Sequence, residues 1–452
     1  MNNGRRNEEP VITVGILKAP LVRFRPDAGY SSSGGVVLAE APAEARVKEG
    51  LVEVFQEGRL VERGREVGFR CITPAAGSFL VRDVAIGIGF HWEQKEDQRF
   101  AGDLRLVVEE EQIRVINELP LEEYLVSVIS SEMKADNAPA LLRAHTIISR
   151  SWLLAQIEKQ DALSGSGEAV ASLTQSETEY IRWYGREDHR LFHVCADDHC
   201  QRYQGMTRAS DPGVVRAVEE TRGEVLVYGG RICDARFSKC CGGVTEEFGN
   251  CWEAVDHPYL QGVADAPAGA PEHEDLKVEA NAVRFIGGRP EAFCNTDDET
   301  LLRRALNDYD LASKDFYRWK VRYSQEELSS LIRLRSGMDF GHILDLLPVQ
   351  RGESGRLVKL KVVGSRRTLT VGKELEIRRW LSPSHLYSSA FFVELEEVQD
   401  GIPGHVTLHG AGWGHGVGLC QIGAAVMAGR GYSHREILAH YFRDTSIERR
   451  YE

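Results

Sequence analysis

The sequence predicts an α+β protein: a strand-rich N-terminal lobe, a mixed core built on two helices, an inserted α+β domain, and a glycine-rich strand with a helix at the C-terminus. Three observations carry that expectation. Residues 10–115 break into short β-rich runs separated by Gly, Pro and charge clusters. Residues 117–160 switch to helical periodicity. Near the end, glycine recurs at 410, 412, 414, 416 and 418, the period of an extended segment stripped of side chains on one face. At 452 residues the chain exceeds what a single core usually serves.

The strand runs are "VITVGIL", "GLVEVFQ", "FLVRDVAIGI" and "DLRLVVEEEQIRVI". The first helix reads from "LPLEEYLVSVISSEM" (119–133), where Pro120 suits a first turn and Glu122 and Glu123 favour the positive end of the helix dipole. At helical spacing Leu121, Tyr124, Leu125, Val128 and Ile129 form one apolar stripe, and Glu122, Glu123, Ser127, Ser130 and Ser131 form the polar face. Glu132 falls within the apolar stripe. Desolvation there raises a carboxyl pKa toward the range of a proton donor at neutral pH. The competing arrangement ends the helix near Glu132 and releases the side chain to solvent.

The next helix, "APALLRAHTIISRSWLLAQIEKQ", is apolar nearly all round, as a buried helix is. Arg150 sits in it among Ile147, Leu154 and Ile157, so its guanidinium needs an anion: Glu132, a ligand group, or a purely structural partner. A mixed segment follows, then the loop "ADAPAGAPEHED" (264–275). Beyond it come a helix opened by the capping box Ser324-x-x-Glu327 and a strand meander of "RLVKLKVVG", "TLTVG" and "LEIRRW". A second capping box, Ser433-x-x-Glu436, starts the last helix. The chain accordingly divides into a strand-rich region 1–115, a core of 116–263 with 401–452, and an insert of 264–400.

Composition narrows the function. A net charge of −13 supplies no basic field for general nucleic-acid binding, and no apolar run is long enough to span a bilayer. "MNNGRRNEEPVITVGI" contains no secretory h-region. Nine cysteines are too few to staple so large a chain, which leaves metal binding, a reactive thiol or local bridges. "EDHRLFHVCADDHCQRYQG" (187–205) offers His189, His193, Cys195, His199 and Cys200, the ligand types of a tetrahedral zinc site; a Cys195 disulfide with solvated histidines is the alternative. Asp197 and Asp198 are placed to orient ligands. "ARFSKCCGGVTEEFGNCW" (235–252) sets Lys239 beside Cys240, Cys241 and a Gly242-Gly243 turn.

"INELPLEEYLVSVISSEM", "ALLRAHTIISRSW", "FSKCCGGVTEEF" and "GWGHGVGLCQIGAAVMAGRGYSHREILAHYF" together resemble the SpoIID/LytB family, over most of residues 100–447 and in the family's order. The resemblance implies a peptidoglycan lytic transglycosylase that cuts glycan strands, preferably without stem peptides, between N-acetylmuramic acid and N-acetylglucosamine. It implies Glu132 as catalytic acid and base, with Arg150, Lys239 and His415 assisting. Phe237, Trp413, Gly414, Gly416 and Gln421 would bind substrate, phenylalanine standing where the family has tyrosine. It also implies a zinc ion on His189, Cys195 and Cys200, with His199 competing; catalysis itself requires no cofactor, and the zinc would be structural.

Chemistry agrees with a single carboxyl: it protonates the glycosidic oxygen, then deprotonates the muramyl C6 hydroxyl, so the second carboxylate of ordinary glycosidases is dispensable. On this reading the glycines admit a glycan strand, Trp413 stacks on a sugar and His415 donates near Glu132. Gly416→Ala should then damage activity more than stability. The opposing reading packs the glycine segment against protein, with His415 a satisfied core residue. Two partner classes follow from the resemblance: glycan strands for an enzyme, or an N-acetylmuramoyl-L-alanine amidase for a non-enzymatic enhancer. A peptidoglycan substrate implies an extracytoplasmic location, with a cytoplasmic role on recycled wall fragments as the fallback.

Overall fold

A computed structural model of the chain describes residues 8–27, 29–72, 77–87, 94–133, 137–166, 172–184, 189–197, 199–207, 212–306 and 315–452. Asp198 lies outside them. The fold is α+β, with parallel and antiparallel pairing mixed across six sheets.

The N-terminal runs build two sheets. In one, Val11–Ala19 lies between Val194–Cys195 and Gln112–Pro120, and Asp103–Glu109, Glu66–Cys71, Tyr30–Ser32 and Val37–Leu38 complete the order. In the other the order is Gln94–Ala101, Ser78–Ile86, Leu21–Pro26, Ala43–Lys48, Leu51–Gln56, Arg59–Gly64. Alternating apolar residues such as Val14, Phe24, Phe69 and Phe79 meet in one core. An aromatic column continues that core into the helices: Phe79 to Phe100 at 5.6 Å, Phe100 to Tyr203 at 5.8 Å, and Tyr203 stacked on Tyr124 at 5.2 Å.

Helix α1 (Leu121–Glu132) begins where the strand Gln112–Pro120 stops. Pro120 stays extended and precedes the first turn rather than entering it. The unpaired amides of that turn are taken by the N-terminal segment: Leu121 N–H donates to Pro10 O at 2.9 Å and Glu122 N–H to Glu9 Oε1 at 2.7 Å. The predicted polar face is only partly solvated: Glu122, Ser127 and Ser131 are buried, whereas Glu123 is exposed. Helix α2 (Pro139–Ser166) is buried as its composition predicts, with His145, Ser149, Arg150 and Ser151 fully enclosed.

A second core gathers Leu328, Ile332, Leu346, Leu360, Val362, Trp380 and Leu408. Its five-stranded sheet runs Leu173–Gln175, Glu179–Arg182, Thr368–Gly372, Leu357–Gly364, Ile343–Arg351. Two strands from before 264 thus join it, and His405–Ala411 lies between Arg318–Ser324 and Phe391–Glu396 in another sheet. The boundaries at 264 and 400 therefore cut through two sheets, since strand pairing between distant segments leaves no mark in composition. "LEIRRW" is a helix, Glu374–Trp380, rather than a strand; Ile377 and Trp380, three apart, turn into this core, and Trp380 Nε1 donates to Glu376 Oε1 at 2.8 Å. Both capping boxes form as the sequence indicates.

The glycine segment is not a strand. The strand ends at Ala411, and Gly412, Gly414, Gly416 and Gly418 all take positive φ, from 74° to 90°. A Cβ on Gly416 would lie 2.5 Å from Arg356 Cζ, and one on Gly418 would strike the carbonyl oxygen of Arg236. The close approach at Gly416 and Gly418 is by the protein's own atoms, so Gly416 does not open a face for a glycan. Gly418→Ala is expected to cost about 1–3 kcal/mol from the left-handed backbone alone, and more from the clash. Urea denaturation with stability unchanged would mean that the loop relaxes around the methyl group.

Candidate functional site

Glu132 closes α1, 9% exposed, and its Oε1 accepts from the backbone N–H of Arg202 at 2.9 Å. The side chain neither escapes to open solvent nor meets Arg150. Arg202 belongs to a segment threaded along α1 and α2. Gln201 Oε1 accepts from Tyr124 OH at 3.4 Å, Gln201 Nε2 donates to Ser149 O at 3.3 Å, and Gln204 N–H donates to Ser127 Oγ at 3.2 Å.

From Ser149 the contacts pass to His145, which the sequence analysis did not single out. Ser149 Oγ lies 3.2 Å from His145 Nδ1, and Gln421 Nε2 lies 3.1 Å from His145 Nε2. An amide nitrogen can only donate, so Nε2 accepts and the ring proton sits on Nδ1, facing Ser149. Burial, and secondarily the charge of Lys239, push His145 down to about 3. The ring is therefore neutral throughout the physiological range and packs on Phe237 at 4.4 Å. Lys239 is half-buried, and its carbonyl accepts from Ile422 N–H at 3.2 Å. One wall thus joins Glu132, Gln201, Ser149, His145, Phe237, Lys239 and Gln421. His145 and Ser149 stand one turn apart on α2, a polar i, i+4 pair in an apolar helix that the sequence offers as a signal.

Arg150 is elsewhere. With no exposure, its Nε and Nη2 donate to Glu122 at 3.0 and 2.6 Å, and its Nη1 donates to Glu224 O at 2.9 Å. Tyr451 OH and Gly223 N–H also donate to Glu122 Oε1. The guanidinium is a structural ion pair, and the catalytic assignment of Arg150 is corrected accordingly. Its partner was missed because Glu122 had been placed on a solvated face.

His415 is likewise a satisfied residue. Nδ1 accepts from Val417 N–H at 3.0 Å, the backbone of Phe237 supplies a further hydrogen bond, and Trp252 packs against the ring at 4.9 Å. Burial, then the charges of Arg236, Arg356 and Arg378, hold it neutral, well below the usual histidine range. These contacts replace the predicted donation near Glu132. Trp413 packs on Tyr387 at 4.6 Å and Phe316 at 5.0 Å, half-buried, and exchanges backbone hydrogen bonds with Cys240.

His189, Cys195, His199 and Cys200 do converge: one ligand atom from each lies within 4.8 Å of all the others. Cys200 Sγ is 3.4 Å from His189 Nε2 and 3.6 Å from His199 Nδ1, and Cys195 Sγ is 3.9 Å from His199 Nδ1. Two nitrogens and two sulfurs at such spacing suit a tetrahedral zinc, with both histidines included. The strand at Cys195 pairs with Gly15, and the same loop runs directly into Gln201 and Arg202, so this cluster governs the donor that holds Glu132.

A family model described as Stage II sporulation protein matches residues 109–228, and one described as a domain of unknown function matches residues 246–418. Stage II sporulation protein D of Bacillus amyloliquefaciens is 25% identical over 333 residues, 74% of this chain and 75% of that one. An uncharacterized protein of Brachyspira hyodysenteriae is 25% identical over 348 residues, 77% of this chain and 72% of its own. An amidase enhancer of Bacillus subtilis is 23% identical over 244 residues, 51% of this chain and 32% of its own. Residues 109–228, which include α1 and α2, therefore match a Stage II sporulation protein domain. The chain is similar to members of the SpoIID/LytB family over about three quarters of its length.

Breaking one side of the buried Glu122–Arg150 pair leaves an unpaired charge, so Glu122→Ala is expected to lose about 3–5 kcal/mol of stability. Arg150→Ala should lose activity only in proportion to the folded fraction. An Arg150→Ala protein with unchanged urea midpoint and lost turnover would restore the substrate-binding assignment.

Proposed function

We propose that the chain acts on the cell wall as a peptidoglycan lytic transglycosylase, with Glu132 as both acid and base. The matched Stage II sporulation protein domain and the likeness to an amidase enhancer support the cell-wall role. The observation that carries the mechanism is the wall itself: a nearly enclosed carboxyl oriented by Arg202 N–H, joined through Gln201 and Ser149 to a histidine held neutral and therefore unable to act as the acid.

Glu132, protonated, gives its proton to the glycosidic oxygen as the bond from muramyl C1 to that oxygen breaks. The carboxylate then removes the proton from the muramyl C6 hydroxyl as that oxygen bonds to C1. The 1,6-anhydro ring closes, and Glu132 ends protonated, ready for the next cycle. No water is consumed and no second carboxylate is needed. Lys239 meets the acetamido or lactyl oxygens, and Phe237, lacking a hydroxyl, offers its ring. Gln421 holds His145 in the tautomer that turns its proton to Ser149.

A structural zinc on His189, Cys195, His199 and Cys200 would hold the loop that delivers Arg202, and it takes no part in the proton transfers. The substrate class sets an extracytoplasmic site of action. Among the described residues no helix is long and apolar enough to cross a membrane.

The likeness to an amidase enhancer favours one second reading, a glycan-binding activator of an amidase. Purified glycan strands, with and without stem peptides, are digested by wild type, Glu132→Gln and Lys239→Ala. Wild type should yield products one water lighter than hydrolysis gives. Glu132→Gln should be at least about 100-fold slower, the scale of general acid catalysis, with strand binding retained. Lys239→Ala should lower turnover less. Products absent from wild type, with strands still bound, would overturn the enzyme in favour of the activator.

A further inference from the structure

A second cluster lies behind the wall. Cys240, Cys241, Cys294 and Cys420 are all buried, and none belongs to the His189–Cys200 group. The sulfurs of Cys241, Cys294 and Cys420 and a carboxylate oxygen of Asp265 lie within 4.8 Å of one another. They come from four separate segments: the turn after Lys239, the chain at 265, the loop at 294, and the residue capping the helix Gln421–Gly429. No finger spacing links them, so the sequence alone does not announce the group.

Three features mark the cluster as a cation site rather than a knot of thiols. Cys241 Sγ and Cys294 Sγ stand 3.6 Å apart, close to the roughly 3.8 Å edge of a tetrahedron with metal–sulfur bonds of about 2.3 Å. Backbone amides point at the sulfurs: Cys241 N–H to Cys420 Sγ at 3.2 Å, Gly423 N–H to Cys420 Sγ at 3.4 Å, and Gly243 N–H to Cys241 Sγ at 3.4 Å. Such donors favour the anionic sulfur that a metal binds. Asp265 is oriented through both oxygens, Oδ1 accepting from Tyr441 OH at 2.6 Å and Oδ2 from Cys294 N–H at 2.9 Å, as ligating carboxylates are.

A fully buried carboxylate among sulfurs calls for a positive charge. The neighbouring Arg318 directs its guanidinium to the carbonyls of Gly242, Phe285, Gly288 and Tyr317. Arg356 is directed to the carbonyls of Cys240, Cys241 and Gly414. Both cations serve the surrounding backbone.

We infer that Cys241, Cys294, Cys420 and Asp265 bind a single thiophilic divalent cation of the zinc type, at a site distinct from the histidine–cysteine cluster. Three soft sulfurs and one oxygen select zinc over calcium or magnesium, and their mutual closeness leaves room for one ion, not a polynuclear cluster. Cys240 stands alongside as an extra thiol. The ion staples the segment carrying Lys239 to the helix whose first residue is Gln421, and so supports the wall from behind.

The test measures bound zinc by plasma mass spectrometry and its ligand shell by X-ray absorption, on the full chain. Wild type should hold two equivalents with between two and three sulfurs per zinc. Cys195→Ser/Cys200→Ser should keep one equivalent with three sulfurs, and Asp265→Asn or Cys294→Ser should lose that equivalent. If the histidine–cysteine cluster binds nothing, wild type should hold one equivalent with three sulfurs. One equivalent with two sulfurs in wild type, which requires no variant to fold, would overturn the inference. So would a disulfide between Cys241 and Cys294 in freshly prepared protein.

Discussion

One buried guanidinium organises the centre of this molecule. Arg356, 1% exposed, donates to Cys241 O and Ser354 Oγ at 3.0 Å and to Gly414 O at 3.2 Å. The turn after Lys239 and the glycine loop are both irregular backbone, and their carbonyls cannot be satisfied by a regular ladder. A single five-donor group inserted between them solves that problem, provided that Gly416 carries no side chain. Glu246, fully buried, faces the same hub through Ser354, accepting from its amide and hydroxyl. The backbone pairings of Trp413 with Cys240 and of Leu419 with Phe237 follow, and these place Lys239, Phe237 and Gln421 against α2.

The two glutamates near the ends of α1 show how environment separates roles. Glu122 meets a buried guanidinium, a tyrosine hydroxyl and a backbone amide, and ties α1 to α2, to the strand at Glu224 and to the C-terminal Tyr451. Glu132, at the far end of the same helix, is positioned by a backbone amide from a loop. The first carboxylate is committed to an ion pair; the second accepts from the backbone N–H of Arg202.

Much of this could be read from local pattern. The capping boxes at Ser324 and Ser433, the burial of α2 and the convergence of His189, Cys195, His199 and Cys200 all depend on residues close in the chain. Glu132 stood out because it broke a periodic stripe. Failures occurred where the deciding partner was remote. Arg150, given a catalytic role by the resemblance alone, is paired with Glu122, twenty-eight positions away. The glycines at a period of two looked extended, but positive φ at four of them folds the segment around Arg356 and Arg236. His145 is distinguished from the other enclosed residues of α2 only by Gln421 and Ser149 on its two nitrogens, and Gln421 is remote in the chain.

By itself, then, the sequence determined the α+β class, the helical pair and the grouping of His189, Cys195, His199 and Cys200. These are properties of spacing and side-chain type, which act over a few residues. Only the tertiary structure decided which carboxylate is committed to Arg150, what fills the space beside each glycine, and that Cys241, Asp265, Cys294 and Cys420 meet at one point. Those outcomes depend on contacts between segments as far as 329 residues apart, and the burial that gives each contact its strength exists only once the chain has closed around it.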